Sequence, residues 1–408
     1  MKEKLSLYVH IPFCVRKCRY CDFLSWQAQE GEQERYTAGL VSEIHSLEAA
    51  AGRFLVDTLF IGGGTPSLLT EERTERILDA LHRTFDFEEG AECTVEANPG
   101  TLLPSKLSAY RRMGINRLSL GLQSADDEEL ALLGRIHTWH DFLEQFRTAR
   151  QEGWDNINVD LMSGIPGQTV DSWRRTLEAV CDLHPEHLSA YSLILEPGTE
   201  FWRLYHENDG ASRESAGETG NGASAFMPLP DEETERSMYH VTREVLAEHE
   251  YRQYEISNYC LDGFSCRHNI GYWTGKAYLG LGIGASSYLD NVRFRNPETM
   301  DGYLKICKEE RPSLPPADKE MSGGRIVTEL CGRREHMEEF MFLGLRMTEG
   351  ISEQEFRETF GQNVQDVYGP VIRRFTAYGM IRESEGRISL TETGVDVSNQ
   401  ILAEFLLD

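Results

Sequence analysis

The chain has 408 residues, with 67 acidic and 41 basic side chains and a formal net charge of −26. That length allows two or three domains with ample core, and the acidic excess argues against nonspecific binding to nucleic acid or anionic membranes. No apolar run is long enough to span a membrane, and the N-terminal MKEKLSLYVHIPF lacks the apolar stretch and cleavage site of a signal peptide.

The first predicted element is a strand over Leu5–Ile11, an apolar run that Pro12 stops. Cys14, Cys18 and Cys21 follow in one tight loop, spaced C-x3-C-x2-C. Three thiolates so close can converge on one metal centre, and soft sulfur selects zinc or an iron–sulfur cluster. A structural zinc site is normally closed by four protein ligands, and no second C-x2-C or H-x3-H pair lies nearby. Three ligands on a four-iron cluster leave one iron open for a small molecule to chelate. A zinc knuckle is the competing reading. Nine cysteines are an odd count, and a metal on three of them demands reduced thiols, so a cytosolic location is expected.

Further strands are predicted over Val56–Ile61, Glu92–Glu96, Arg117–Leu122, Ile157–Leu161 and Leu188–Leu193, with helices near 33–51, 70–84, 104–113, 139–152 and 169–183. Six parallel strands with helical crossovers fit an open doubly wound sheet or a partial barrel. Gly-rich or polar residues at the strands' C-terminal ends favour a barrel mouth that holds the site. The expected fold is α/β: a partial (β/α)6 TIM-like barrel over 1–230, followed by a smaller α+β and winged-helix-like region. Within it, 206–227 reads as a mobile surface insertion rich in Gly, Ser, Asn and Glu. Residues 231–325 are expected to form an α+β extension carrying HNIGYW, with 310–325 as a linker. Residues 326–408 read as winged-helix-like, with a hairpin over Met380–Leu390 turning at Glu385-Gly386. Between 338 and 408 there are 13 acidic and 6 basic side chains, which argues for packing or partner docking rather than DNA binding.

Gly62-Gly63-Gly64-Thr65 falls at the end of the second predicted strand. Glycines there let a ligand approach the backbone, and exposed amides can hold a carboxylate or amine group; a tight turn explains a GGG run equally well. Together with the cysteine loop, the stretches IGGGTPS, VEANPG, LSLGLQS, LGRIH and NVDLMSGIPGQT resemble the coproporphyrinogen III oxidase-like branch of the radical S-adenosylmethionine (SAM) superfamily. Within that branch the chain is most similar to the heme-chaperone type, over nearly its full length apart from 206–227. The resemblance implies a [4Fe–4S] cluster on Cys14, Cys18 and Cys21 whose open iron takes the amino and carboxylate groups of SAM. It also implies that Tyr8 contacts SAM near the cluster and that Gly63, Gly64 and Thr65 hold its methionine part. Glu96 would face an ammonium or ribose hydroxyls, and Gln123, Arg135 and Asp160 would line the same mouth.

Two features depart from the oxidase. Phe23 stands where the oxidase carries a further cysteine, and only seven residues precede Tyr8, where the oxidase has an extension. The second distinctive stretch is His268-Asn269-Ile270-Gly271-Tyr272-Trp273. A histidine can ligate heme iron and flanking aromatics can pack on a macrocycle, although a core histidine beside core aromatics fits the same residues. HNxxYW resembles the chaperone subgroup's heme-associated motif, which makes His268 the expected heme-binding residue. Cys266 reads as a buried thiol or an extra ligand; Cys93, Cys181, Cys260, Cys307 and Cys331 read as packing, and His10 as structural. GLGIGAS (280–286) misses dinucleotide spacing and reads as a turn-rich core segment. The implied function is a chaperone that binds heme and passes it to an acceptor protein, with an electron donor serving the cluster. No nucleic acid or membrane span is expected, and peripheral membrane contact is left open. The alternative is a radical SAM enzyme for oxygen-independent oxidative decarboxylation of coproporphyrinogen III. A structural interaction module is a third reading and leaves the cluster unexplained.

Overall fold

Leu5, Leu7, Val9 and Ile11 are fully buried, and the unbroken apolar run they belong to forms an interior strand of a twelve-stranded sheet, as expected of a parallel strand covered on both faces. The computed structural model describes residues 2–206, 227–308, 314 and 324–407. Strands and helices alternate first: β1 (Glu3–Ile11), α1 (Glu30–Ser46), α2 (Glu48–Ala51), β2 (Phe54–Gly63), α3 (Glu71–Thr84), β3 (Asp86–Ala97) and α4 (Pro104–Arg112). There follow β4 (Arg117–Gln123), α5 (Asp127–Leu133), α6 (Trp139–Gln151), β5 (Ile157–Ser163), α7 (Val170–Cys181) and β6 (His187–Ser192). These six strands pair in chain order and all in parallel, the arrangement that successive helical crossovers produce. The expected partial barrel is what the chain forms. Helix α5 was not foreseen; Asp126 caps it by accepting from the amides of Glu128 and Glu129.

Next come α8 (Glu200–His206), α9 (Glu232–Glu248), β7 (Arg252–Glu255), β8 (Asn258–Cys260), α10 (Arg267–Trp273) and β9 (Tyr278–Leu281). β10 (Ser286–Leu289), β11 (Val292–Arg295), α11 (Met300–Ile306) and β12 (Ile326–Leu330) complete this part. These strands extend both edges of the barrel sheet. β9 runs parallel beside β1 and leads into antiparallel β10, β11 and β12, while β8 and β7 add antiparallel to β6. GLGIGAS thus begins inside a strand. The insertion expected over 206–227 and the linker expected over 310–325 fall almost wholly outside the described residues.

A buried carboxylate ties the late strands to the early helices. Glu43 of α1 accepts from the amide of Gly282 (2.9 Å), Asn296 Nδ2 (2.8 Å), Tyr303 Oη (2.8 Å) and Arg325 Nη2 (3.2 Å). Both Glu43 and Arg325 are buried, so each charge depends on the other and on the neutral donors.

The last part is α12 (Arg333–Gly344), β13 (Ile351–Ser352), α13 (Glu353–Phe360), α14 (Val364–Ala377), β14 (Ile381–Ser384), β15 (Arg387–Leu390), α15 (Glu392–Asp396) and α16 (Ser398–Ala403). Its three short strands form a separate antiparallel sheet, β13-β15-β14. The hairpin turns at Glu385 (φ 53°) and Gly386 (φ 72°), both left-handed, as a two-residue hairpin requires. Met341, Phe356, Tyr368, Ile372 and Phe405 build a core of its own. This part docks on the barrel through the Thr348 amide, which donates to the Tyr254 carbonyl (3.0 Å), and through Arg346, stacked 4.3 Å from the Trp273 ring centre. Among the described residues no helix is long and apolar enough to cross a membrane.

Glu43→Ala removes the one acceptor shared by Gly282, Asn296, Tyr303 and Arg325. It should cost about 3–5 kcal/mol of unfolding free energy, read as a lower urea midpoint at unchanged slope. A loss below about 1 kcal/mol would show that the network adds little to holding the barrel together.

Candidate functional site

The cysteine loop leaves the end of β1 and is held at both ends by backbone. The Cys14 amide donates to the Trp26 carbonyl (3.0 Å) and the Trp26 amide to that of Pro12 (2.8 Å), while the Arg19 amide donates to Leu133 at the end of α5 (3.1 Å). The loop also rests on β2's exit. The amides of Gly64 and Thr65 donate to the carbonyls of Ile11 (2.8 Å) and Phe13 (2.7 Å). A Cβ at residue 64 would lie 2.7 Å from the Phe13 oxygen, so only glycine permits this approach. Gly63, at φ +113°, donates its own amide to Glu96 Oε2 (3.0 Å). The amides expected to hold a ligand's carboxylate are therefore engaged. The groups left nearby are the Glu96 and Asp160 carboxylates of the adjoining cavity, which suit an amine better than a second carboxylate.

Cys14, Cys18 and Cys21 are free, half-buried thiols. Burial pushes Cys21 up to about 11, against the pull of the Phe23 backbone bond, with Cys18 adding to the rise. A cationic centre would offset that rise and favour the Cys21 thiolate. The three sulfurs do not form a set within 4.8 Å of one another, which the described residues achieve only at Glu329, Cys331 and Glu339. A tetrahedral zinc with bonds of about 2.3 Å draws its sulfurs to about 3.8 Å. The wider spread and the soft donor set fit the faces of an iron–sulfur cube better than a single ion.

A chain of hydrogen bonds rings this loop. Cys14 Sγ lies 3.6 Å from Thr65 Oγ1, Asn98 Nδ2 donates to Thr65 Oγ1 (2.8 Å), and Arg135 Nη2 donates to Asn98 Oδ1 (2.6 Å). Arg135 closes the ring, with Nη1 donating to Cys18 Sγ at 3.6 Å. Gly134, in the left-handed conformation (φ +80°), ends α5 and turns Arg135 back toward the cysteines. A guanidinium beside a thiolate offsets charge that a cluster would gather there. Asn98 was not singled out from sequence, although it sits inside VEANPG; its role depends on partners 33 and 37 residues away.

The barrel mouth holds a cavity of about 230 Å³ lined by Tyr8, Gly63, Glu96, Asp160, His268 and Tyr272, among others. Tyr8 donates to His10 Nδ1 (2.9 Å), and His10 Nε2 donates to the Leu24 carbonyl (2.8 Å), so His10 orients Tyr8. Burial keeps His10 neutral by lowering its pKa. Asp160 accepts from Asn158 Nδ2 (2.8 Å) and Ser119 Oγ (3.2 Å). Thr65 and Arg135 line a narrower cleft beside Cys18, and Gly64 lies beneath Phe13. Gln123 ends β4 with a left-handed backbone (φ 80°), and its Nε2 reaches the same space above Gly121 as Asn98 and Arg135. Phe23 stands 62% exposed at the cavity's rim.

His268 is nearly fully buried. Its Nδ1 bonds Thr58 Oγ1 and its Nε2 bonds Tyr272 Oη, both at 3.0 Å, and Phe60 stacks on the ring at 5.2 Å. Burial, then Lys276 and Arg117, holds its pKa down at about 3. The motif's helix, α10, is seated by Glu92, which accepts from the amides of Arg267 (2.9 Å) and His268 (3.0 Å) and from Cys266 Sγ (3.4 Å). A carboxylate capping a helix start is favourable, but nothing local in the sequence links Glu92 to residue 267. Sequence reading placed the SAM residues and His268 on separate segments; the fold brings them around one cavity.

A six-strand parallel barrel with a three-cysteine loop at its mouth is the architecture of a radical SAM protein. A model of the radical SAM superfamily matches residues 8–180, and one of the HemN C-terminal domain matches 332–397. The chain is 34% identical over 402 residues to the heme chaperone HemW of Bacillus subtilis (strain 168), covering 98% of this chain and 99% of that one. It is 33% identical to HemW of Escherichia coli (strain K12), at 99% and 98% coverage. Against the radical S-adenosyl methionine domain-containing protein 1, mitochondrial, of Mus musculus, identity is 32%, covering 99% and 87%. The solved coproporphyrinogen III oxidase HemN of Escherichia coli superposes with a TM-score of 0.79 at 21% identity, covering 99% and 90%, and shows the same fold. The chain belongs to the HemW family.

Burial, reinforced by Asp160, lifts Glu96 to about 8. A carboxyl raised above its unfolded value binds its proton more tightly in the folded chain. Its contribution to stability is therefore complete below about 4.5 and lost as pH rises through about 8. A cation entering beside Glu96 displaces that proton. SAM affinity should rise by up to about tenfold per pH unit and level off above about 8, and Glu96→Gln should flatten the profile. Calorimetry at several pH values checks this; a flat wild-type profile would remove Glu96 from the SAM site.

Proposed function

We propose that this protein is a heme chaperone: it binds heme and passes it to an acceptor protein, with a [4Fe–4S] cluster on Cys14, Cys18 and Cys21 chelated by SAM. The observation that carries the reading is end-to-end identity with HemW chaperones, over 98% of this chain and 99% of the Bacillus subtilis relative. When bound, the cluster supplies an open iron and a single electron to a small-molecule ligand. The protein's own part is positional. Thr65, Asn98 and Arg135 brace the thiols; Tyr8, Glu96 and Asp160 line the mouth, with Gln123 above its neighbouring strand end. An electron donor and the heme acceptor are the partners this reading requires, in a reducing compartment such as the cytosol.

The oxidase reading draws on the shared fold. Against it stands Phe23, an exposed phenyl ring at the mouth where the oxidase has a cysteine. His268 would have to give up Thr58 or Tyr272 to reach an iron, so the chaperone reading does not depend on it.

Cys14→Ala, Cys18→Ala or Cys21→Ala should each abolish the brown iron–sulfur absorbance, while Cys93→Ala should keep it. Uptake of stable zinc with no iron would contradict the cluster. In anaerobic reconstituted protein, heme should bind near one per monomer, and coproporphyrinogen III should not be converted to protoporphyrinogen IX. Multiple turnovers of coproporphyrinogen III would overturn the chaperone reading in favour of the enzyme.

A further inference from the structure

A second cavity lies outside the barrel mouth. It holds about 550 Å³ between the β7–β8 and α10 segments and the α12–β13 segment of the C-terminal part. Its walls include Leu261, Ile270, Trp273, Phe340, Met347 and Ile351, an apolar surface with aromatic rings from both sides of the junction. That size falls within the range of pockets that bury drug-sized ligands, about 300–1,000 Å³, whereas the barrel-mouth cavity of about 230 Å³ falls below it.

Two features of the wall point to a ligand. The Trp273 indole N–H is buried with no hydrogen-bond partner among the described residues, although a buried indole normally finds one. His336 is the only imidazole among the lining residues. It is half-buried against Phe360 at 5.2 Å. Burial, then Arg293, lowers its pKa and so favours the neutral ring, the form that ligates metal. The lining carboxylates are Asp262, Glu339, Glu349 and Glu355. The first three are paired with Arg252, Arg293 and Arg387, which leaves the apolar wall as the main surface offered to a ligand.

Helix α10 is the partition. Its His268, Asn269 and Tyr272 face the barrel mouth, and its Ile270 and Trp273 line the junction cavity. HNxxYW therefore has two faces, and the face with free space for a macrocycle is the tryptophan's.

We propose that heme binds in this junction cavity, against the apolar wall that includes Trp273 and Phe340, with its iron ligated by His336. The proposal rests on the heme-chaperone reading and names its binding site. SAM and heme then occupy opposite sides of one short helix, and neither must leave for the other.

The test is titration of the full-length, cluster-reconstituted protein with hemin, and separately with metal-free protoporphyrin IX, followed by Soret absorbance. His336→Ala and Thr274→Trp, the second placing a bulky ring at an exposed position of the cavity rim, are compared with wild type. His140→Ala, a surface imidazole, is the control, and iron–sulfur absorbance reports folding. Each of the two test variants should weaken hemin binding by about tenfold or more, and His336→Ala should lose the preference for hemin over the metal-free ring. Wild-type hemin affinity in either folded variant overturns the cavity while leaving the heme reading intact. If wild type binds no hemin, the heme reading itself fails, and the cavity assignment with it.

Discussion

Two backbone hydrogen bonds, from the amides of Gly64 and Thr65 to the carbonyls of Ile11 and Phe13, fix everything else at the barrel mouth. They dock the exit of β2 under the cysteine loop, and they exist because residue 64 has no side chain to meet the Phe13 oxygen. With the loop held there, Thr65 reaches Cys14 and Asn98, and Arg135 can close the ring at Cys18. Because backbone sets the position of the thiols, their spacing is a property of the fold, and metal loading need not create it. The same bonds use up the amides, so the mouth presents acceptors and carboxylates, and a cationic ligand suits it.

The cavity at this mouth is charged in an unusual sense. Glu96 and Asp160 are both half-buried, and desolvation raises both carboxyls. Glu96, lifted to about 8 with Asp160 adding to the rise, would ionise more readily beside a cation, which makes the affinity of the mouth dependent on its occupant's charge. His10 and His268 add no positive charge, since burial keeps both neutral. On the far side of α10 the chemistry changes to apolar wall and a neutral imidazole. One helix thus separates a site suited to a small cation from one suited to a large flat ring.

Most of the barrel was legible in sequence because its determinants are local. Buried parallel strands read as apolar runs such as Leu5–Ile11, and helices such as α3 and α6 carry their own caps, Thr70 and Thr138. The cysteine triplet and the strand-end residues were equally visible, since each lies within a short motif. What was not legible depends on contacts distant in the chain. Glu92 seats a helix 175 residues later, Glu43 gathers donors from 282, 296, 303 and 325, and Asn98 bridges two other motifs. The glycine run left a ligand-holding loop and a tight turn equally open, because nothing in GGGT shows that the amides of Gly64 and Thr65 face the carbonyls of Ile11 and Phe13. For His268 the motif left a heme ligand and a core histidine both open, because it does not reveal that both ring nitrogens have partners within the fold. His336 escaped notice because it stands alone on a helix with no motif around it.

The central claim is that SAM at the cluster and heme occupy separate seats in one chain. Electron–nuclear double resonance on the reduced cluster, with SAM labelled with ¹⁵N at its amino group, tests it before and after saturation with heme. The account predicts a nitrogen coupling to the cluster that persists unchanged when heme is bound. Loss of that coupling on adding heme would place both ligands in the barrel mouth and contradict the account.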